Sequence, residues 1–279
     1  MIGPKSYGES ELTYKPNGYK IWGDVATADC LDVRQKIETD LKDTTHKSAN
    51  FGSSKITFVK AFDNAVFVGS KDGPVKYSTD VEHDEWHTLD VSITANGCYA
   101  DNTRMLFAAE DGVYELSTYM NIDTSDETKY GKKEYSVVRL NKNTLNHVTA
   151  VGYNKHRSMV TAATNSSTNK GRVYEAPYYA SSLLSDRQQA LTFTECYMFN
   201  DKARTSPYVN DVNAAPDKKT VLASTSGLLT SAMRWQFTDL IVSNPKNDGD
   251  EIFKIGCAID EFLFFGSNKG LYRLNPNTE

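Results

Sequence analysis

AFDNAVFVGSKDG, at residues 61–73, recurs without a gap near the C-terminus as AIDEFLFFGSNKG, at residues 258–270. Both stretches have the same order of residue types: apolar residue, aspartate, turn residue, mostly apolar run, small residue, polar triplet and glycine. The same order is found at residues 99–112 and 216–227, and a looser copy spans residues 153–171. The chain therefore contains five copies of one structural unit.

The residue types in the repeat predict short strands joined by tight turns. Aspartate and asparagine favour a turn because their side chains hydrogen-bond the nearby backbone. The apolar run has the length of a buried strand, and the final glycine suits a second turn because it tolerates a positive φ. A third strand is predicted after each glycine, for example at residues 113–116, and a fourth follows, for example at residues 135–140.

The spacing of the repeats predicts how these strands are arranged. The final glycines, Gly73, Gly112, Gly171, Gly227 and Gly270, are separated by 39, 59, 56 and 43 residues. Four-stranded units of about 40–50 residues are typical of β-propeller blades, and the two longer intervals contain insertions. We therefore predict an all-β fold, a propeller of five or six four-stranded blades. A β-sandwich with hairpins that are alike by chance remains the alternative.

The ends of the chain suggest how the ring closes within a single predicted domain, residues 1–279. Residues 1–26 are expected to supply closing strands, residues 27–55 a helical insertion and linker, and residues 56–279 the repeated blades. The last repeat lacks a fourth strand, which would leave an open sheet edge. Residues 12–22 have the pattern of a strand, an Asn-Gly turn and a strand, and could complete this blade or belong to a degenerate sixth one.

Residues 28–43 depart from the repeat. Their apolar positions, Cys30, Val33, Ile37 and Leu41, are spaced as on one face of an amphipathic helix. We expect this helix to cover the edge of the ring, with a partner-binding helix as the alternative.

Composition excludes some classes of function. The chain has 31 Lys+Arg against 36 Asp+Glu, a net charge of −5, which argues against binding nucleic acid through bulk positive charge. It has no apolar run long enough to span a membrane, and its first residues do not resemble a signal peptide. The cysteines form no CxxC pair, so we expect reduced thiols and no zinc site.

Motif analysis identifies no catalytic set, and we expect no enzyme activity, cofactor or metal. The sequence has no G-x-S-x-G, P-loop or dinucleotide motif. His83 and His87 could share one face of a strand, but no third ligand is spaced near them. The acidic run at residues 247–251 lacks the ligand spacing of a calcium loop.

One hairpin resembles the Asp-box, or BNR, turn of sialidases and sortilin-type receptors. Ser78, Asp80 and Trp86 match its S-x-D-x-G-x-T-W pattern in type, although the glycine is missing and one residue is added before the tryptophan. This resemblance implies a structural turn on the outer rim. The chain lacks the Arg-Ile-Pro motif of sialidases, and its arginines fall at different positions in the repeats.

Two groups of residues are candidate sites. Tyr178, Tyr179, Leu183 and Leu184 lie in an insertion that is unusually apolar, which suits a protein contact surface. Packing back onto the edge of the ring is the alternative for this group. Lys60 and Lys254 lie on predicted innermost strands, where they could bind an anion in the axial channel or face solvent.

The divergent blades, with strands rich in Asn, Tyr, Thr and Ser, are similar to propeller modules of bacteriophage tails, such as those of nozzle proteins. This resemblance implies a non-catalytic virion component, assembled in the host cytoplasm, whose partners are other tail proteins or copies of itself. The charge balance and the lack of a long apolar run predict no nucleic-acid partner and no membrane span. The alternative is a propeller of the sialidase-like or BNR type that binds a glycan or small ligand, with a hydrolase as one form of it, in a cytoplasmic location.

Overall fold

The computed structural model describes residues 14–15, 18–20, 55–80, 85–122, 124–125, 130–165, 171–179, 187–198, 208–215, 218–225, 227–233, 236–243, 252–259, 262–267 and 270–274. For residues 14–15, 18–20, 197–198, 232–233, 236–243, 252–259, 267 and 270–274, only the backbone is described. The chain divides into two compact units. One comprises Ser48–Cys196, and the other combines Met1–Lys47 with Tyr197–Glu279. The single-domain assignment stays a prediction.

The described residues form short strands throughout. The strands are β1 Tyr14–Lys15, β2 Gly18–Lys20, β3 Ile56–Phe62, β4 Ala65–Ser70, β5 Gly73–Asp80, β6 Glu85–Thr88, β7 Ala95–Ala100, β8 Met105–Ala109, β9 Gly112–Met120, β10 Lys133–Arg139, β11 Val148–Asn154, β12 Met159–Thr164, β13 Arg172–Pro177, β14 Thr194–Glu195, β15 Tyr197–Met198, β16 Val209–Ala214, β17 Thr220–Ser224, β18 Gly227–Met233, β19 Gln236–Ser243, β20 Ile252–Ile259, β21 Phe262–Ser267 and β22 Gly270–Leu274.

The unit Ser48–Cys196 contains three antiparallel sheets, each made of four consecutive strands: β3–β6, β7–β10 and β11–β14. The second strand of each sheet carries the apolar run of the repeat. In β8 and β12 every residue is buried, because a central strand is covered on both faces. The apolar run therefore became the core strand, as its composition predicted.

The first strands of these three sheets lie beside one another, β3 next to β7 and β7 next to β11. Each has a register shift at its second residue, as in a β-bulge: Thr57, Asn96 and Thr149. Thr57 Oγ1 donates to the Ala95 carbonyl at 2.8 Å, and Asn96 Nδ2 donates to the Val148 carbonyl at 3.0 Å. Because a bulge redirects a side chain, these polar residues tie the first strand of one sheet to the next.

Aromatic side chains fill the space between the first two sheets. The Tyr135 ring from β10 meets Phe67 edge-on, with centroids 5.3 Å apart, and lies 4.8 Å from Tyr77. Its hydroxyl donates to the Asp63 carbonyl at 2.9 Å. A second buried cluster, including Leu106, joins the second and third sheets. Sheets that pack face to face around neighbouring first strands are the arrangement expected of propeller blades.

The other unit contains two further sheets. Strands β16–β19 form four consecutive antiparallel strands, with β15 added parallel to β19. The last sheet has the order β1-β2-β22-β21-β20, so it joins both ends of the chain. Tyr19 pairs with Arg273, and Lys20 pairs with Tyr272. The N-terminal hairpin thus pairs with the last repeat, which is one of the two roles that its sequence predicted.

The prediction of five or six four-stranded blades is wrong. Only four of the described sheets contain four consecutive antiparallel strands, and the remaining sheet is a composite of three C-terminal strands and the N-terminal hairpin. The edge of the last repeat, at β22, is covered by β2 of the N-terminal hairpin. The helix predicted at residues 28–43 lies outside the described residues.

Candidate protein interface

The hairpin formed by β9 and β10 extends beyond the core. Strand β9 is buried near Gly112 and exposed from Thr118 to Met120. Beyond the strand pairing, Asn121 and Gly131 continue the hairpin through the backbone bonds Asn121 N–H to Lys132 O and Gly131 N–H to Asn121 O. Four large side chains here are 39–81% exposed, and we call them the hairpin tip: Tyr119, Met120, Ile122 and Tyr130.

Hydrogen bonds hold the base of the hairpin tip in place. The Tyr119 hydroxyl lies within hydrogen-bonding distance of two carboxylates, those of Asp90 and Glu134, the latter at 2.8 Å. Asn121 Nδ2 donates to the other oxygen of Glu134 at 2.9 Å. The pKa of Tyr119 is raised well above its ordinary value, mainly by the hydrogen bond to Asp90 and to a smaller extent by burial. The hydroxyl therefore remains a donor, and it links the hairpin to the connection after β6.

The residues predicted to form a contact surface in the insertion differ in their exposure to solvent. Tyr178 is only 2% exposed, and its hydroxyl donates to the buried Glu115 carboxylate. Tyr179 is 79% exposed, while Leu183 and Leu184 lie outside the described residues. Tyr178 is therefore a core residue, and its ring packs edge-on to Tyr153. Because it is buried, it does not form part of a contact surface. For Tyr178, the alternative prediction, in which the insertion packs back onto the fold, describes the structure better.

Tyr178 belongs to a buried polar network. The Glu115 carboxylate lies 3.8 Å from Arg104 Nη1 and 3.5 Å from Arg187 Nη1. The Arg104 guanidinium stacks 4.0 Å from the Tyr153 ring centroid and 4.6 Å from that of Tyr178. Burial, with the hydrogen bond to Glu115, raises the pKa of Tyr178 well above its usual range. The network joins the second and third sheets.

A second carboxylate occupies the corresponding place in the next repeat. Glu175 follows Val-Tyr in β13, as Glu115 does in β9. Its carboxylate accepts two hydrogen bonds from Arg157, at 2.8 and 3.2 Å, and one from Thr161 Oγ1 at 3.1 Å. In both repeats, an arginine from the turn before the second strand pairs with a glutamate of the third strand. This pattern is a packing device of the repeat.

The predicted axial lysines are not at equivalent positions. Lys60 is exposed on β3, opposite Phe67, and Lys254 lies on β20 in the other unit, opposite Gly266. Counted from the register shift, Lys254 immediately follows the bulge, and Lys60 stands two residues further along its strand. An anion site made by the two lysines stays a prediction.

A groove lies beside the turn between β3 and β4. Its volume is about 540 Å³, and the described residues that line it are Ala61, Phe62, Asp63, Asn64, Ala65, Val66, Ser78, Thr79, Asp101 and Asn102. Its walls are the first turns of two neighbouring sheets. Ser78, at the base of the Asp-box-like segment, accepts the Asp80 N–H at 3.1 Å, and residues 81–84 lie outside the described residues.

The remaining side chains with metal-binding or thiol chemistry stand apart from these sites. His87 is exposed on β6, and His83 is not described. Among the residues that the structure describes, no three His, Cys, Asp or Glu side chains are grouped closely enough to hold a metal ion. Cys98 and Cys196 are buried thiols. Within the same residues, no helix has the length and apolarity to cross a membrane.

The hairpin tip was not predicted from the sequence, although the sequence indicates it. Tyr119, Met120 and Ile122 come after the buried part of β9, within the longer interval between Gly112 and Gly171. Large apolar side chains in an insertion beyond a completed repeat have no core to enter. The signal was therefore their position relative to the repeat, and not any motif.

Comparison with known proteins supports the fold. YCF48 from Cyanidioschyzon merolae is 12% identical with a TM-score of 0.54, over 84% of this chain and 70% of that one. YCF48 bound to D1 peptide is 9% identical with a TM-score of 0.51, over 83% and 68% of the two chains. The extracellular domain of BT4673 from B. thetaiotaomicron is 12% identical with a TM-score of 0.50, over 84% of this chain but only 28% of that one.

No protein-family model matches the sequence. No curated protein sequence matches it either. At these identities, the structural likeness concerns the fold alone. Together with the sheet topology, it identifies an all-β chain of the β-propeller fold.

Proposed function

We propose that this chain is a non-catalytic β-propeller that works by protein–protein contact, with the hairpin tip as part of its contact surface. The observation that carries the proposal is the exposure of Tyr119, Met120, Ile122 and Tyr130 on one anchored hairpin. Exposed apolar groups cost free energy unless a partner covers them. A hairpin whose base is already fixed by hydrogen bonds loses little entropy on binding.

The placement of the buried acids supports a non-catalytic function. A general acid or base must reach a substrate, usually within about 3 Å. Glu115 and Glu175 are instead buried and paired with arginines between strands. Both are better explained by packing than by chemistry.

The proposal extends to a biological setting, a bacteriophage tail. Its support is the resemblance of the repeats to tail propeller modules, which implies several copies around a tail axis and other tail proteins as neighbours. In this setting the protein reaches the virion after synthesis in the host cytoplasm. No cofactor is required for such an assembly role.

The test combines native purification with two variants. The tagged chain is isolated gently from its own source, and the co-purifying chains are quantified by mass spectrometry. We expect a partner at fixed stoichiometry, lost when Met120 and Ile122 are both changed to aspartate. Val59→Asp is the matched control, because Val59 is exposed on β3, outside the hairpin tip. Recovery of the wild-type chain alone, or a partner retained by the double variant, contradicts the proposal; a partner that is not a tail protein contradicts only the virion setting.

A further inference from the structure

The groove beside the β3–β4 turn is built on two stiff turns. Asp63 and Asn64 have left-handed φ values of 51° and 61°, as in the tight two-residue turns of hairpins. The Asp63 carbonyl accepts the Tyr135 hydroxyl at 2.9 Å, and its carboxylate pairs with Lys133. Both contacts come from β10 of the neighbouring sheet. The first wall of the groove is therefore held from outside the groove itself.

The second wall is held by the Asp101 carboxylate. One oxygen accepts the backbone N–H groups of Thr103, at 2.7 Å, and Arg104, at 2.9 Å, together with the Thr103 hydroxyl. The other oxygen accepts the Tyr99 hydroxyl at 3.0 Å. These four bonds fix the turn that carries Asn102. Because both walls are already held in place, binding a ligand here does not cost the conformational entropy of ordering the two turns.

The charge of the groove favours a neutral ligand. Among the described residues that line it there is no Lys, Arg or His, so these residues offer no cation to an anionic ligand. Its two carboxylates are already occupied, Asp63 by Lys133 and Asp101 by four donors. Neither is therefore available to select a cation.

The remaining lining groups offer donors and acceptors side by side. Asn64 and Asn102 are exposed, and their side-chain amides carry both donors and acceptors. Ser78 also belongs to the lining; only 1% of it is exposed, and its hydroxyl oxygen accepts the Asp80 N–H. The half-buried Phe62 ring adds an apolar face. Hydroxyl groups both donate and accept, and sugar rings also carry apolar C–H faces.

We propose that this groove is a binding site for a neutral carbohydrate. The volume of about 540 Å³ lies within the roughly 300–1,000 Å³ of ordinary ligand pockets and suits a short oligosaccharide. The groove shares none of its described lining residues with the hairpin tip, so it stands whether or not the protein-contact proposal holds.

The test uses the full-length chain on an array of neutral and acidic oligosaccharides, beside an array of random peptides. We expect neutral oligosaccharides to bind, with saturation-transfer NMR on the best of them showing contact through the sugar protons. The double variant Asn64→Gly, Asn102→Ala should weaken binding by about tenfold or more, since it removes two sets of hydrogen bonds. Asn146→Ala is the matched control, an exposed asparagine of the same unit outside the groove.

Each result bears on the proposal. Because both asparagines are exposed and glycine tolerates the left-handed φ of 61° at position 64, the double variant should keep the wild-type urea midpoint, which separates loss of binding from loss of folding. Selective binding of neutral sugars that the double variant loses and the control keeps supports the site. Binding only of acidic sugars or of peptides, equal binding by the double variant, or no binding at all overturns it.

Discussion

At the scale of the residue, two glutamates that each pair with an arginine differ in how far they are buried. Glu175 is fully buried and takes hydrogen bonds from Arg157 and Thr161, whereas Glu195 is half exposed in a pair with Arg172. A buried ion pair contributes little when intact, but breaking it leaves an uncompensated charge. An exposed pair is weakened by solvent and contributes about 0–1 kcal/mol.

We expect Glu175→Gln to lower the free energy of unfolding by about 2–4 kcal/mol, because the Arg157 charge loses its partner. Glu195→Gln should change it by less than about 0.5 kcal/mol. Urea unfolding followed by tryptophan fluorescence measures both. Equal effects of the two substitutions would show that the Arg157–Glu175 pair has no special role.

The Asp101 carboxylate should make stability depend on pH. Burial alone raises the pKa of Asp101, but the hydrogen bonds from Thr103, Arg104 and Tyr99 outweigh it and hold the pKa below its usual value. A lowered folded pKa stabilises the fold above the unfolded pKa, and this stabilisation is lost as pH falls through the folded pKa. Asp101→Asn should therefore be less stable than wild type at pH 7, with a difference that shrinks in acid.

Urea midpoints at intervals from pH 7 to about pH 3 measure this effect. Asp72→Asn, at an exposed position in the β4–β5 turn, is the control and should follow the wild-type curve. A constant difference between wild type and Asp101→Asn over the whole range would contradict the assignment.

At the scale of the element, the first strands determine how closely neighbouring sheets approach. At Gly97 on β7, an added Cβ would lie 2.7 Å from the Thr149 carbonyl oxygen on β11, too close for a real contact. At Gly266 on β21, an added Cβ would meet nothing within 4 Å. A methyl group therefore has opposite consequences at the two glycines.

We expect Gly97→Ala to destabilise the protein by about 1–3 kcal/mol, because the backbone must shift to relieve the clash. Gly266→Ala should be neutral within about 0.5 kcal/mol or slightly stabilising, because it restricts only the unfolded chain. Thermal unfolding of both variants beside wild type tests the difference. A neutral Gly97→Ala would mean that β7 and β11 are further apart than described.

At the scale of the whole molecule, both ends of the chain meet in one sheet. Strand β22 has β21 on one side and β2 on the other. Without β1 and β2, β22 would become an open edge with unpaired backbone donors and acceptors, a known route to aggregation.

We expect deletion of residues 1–22 to lower the urea midpoint and to cause self-association that grows with concentration. Deletion of residues 1–11 keeps both strands and should behave as wild type. Light scattering and urea unfolding of the two truncations make the comparison. Monodisperse, fully stable protein after the longer deletion would contradict the closing role of the hairpin.

Local chemistry accounts for what could be predicted from the sequence. Apolar runs, turn residues and glycines act over a few positions, so the four-strand repeat and the buried second strands were readable from residues such as those at 61–73. The hairpin at residues 12–22 was also readable, because its turn and its strands are contiguous. Its two proposed roles could not be separated until its pairing with β22 was known.

Contacts between distant residues required the tertiary structure. Tyr178 looked like a surface residue because its acceptor, Glu115, lies 63 positions away. The groove depends on turns from two sheets, and Asp63 is held by Tyr135, 72 positions along the chain. The strands of a single repeat follow from the order of its residues, but burial and site geometry depend on which sheets pack together, and that is set by contacts summed over the whole fold.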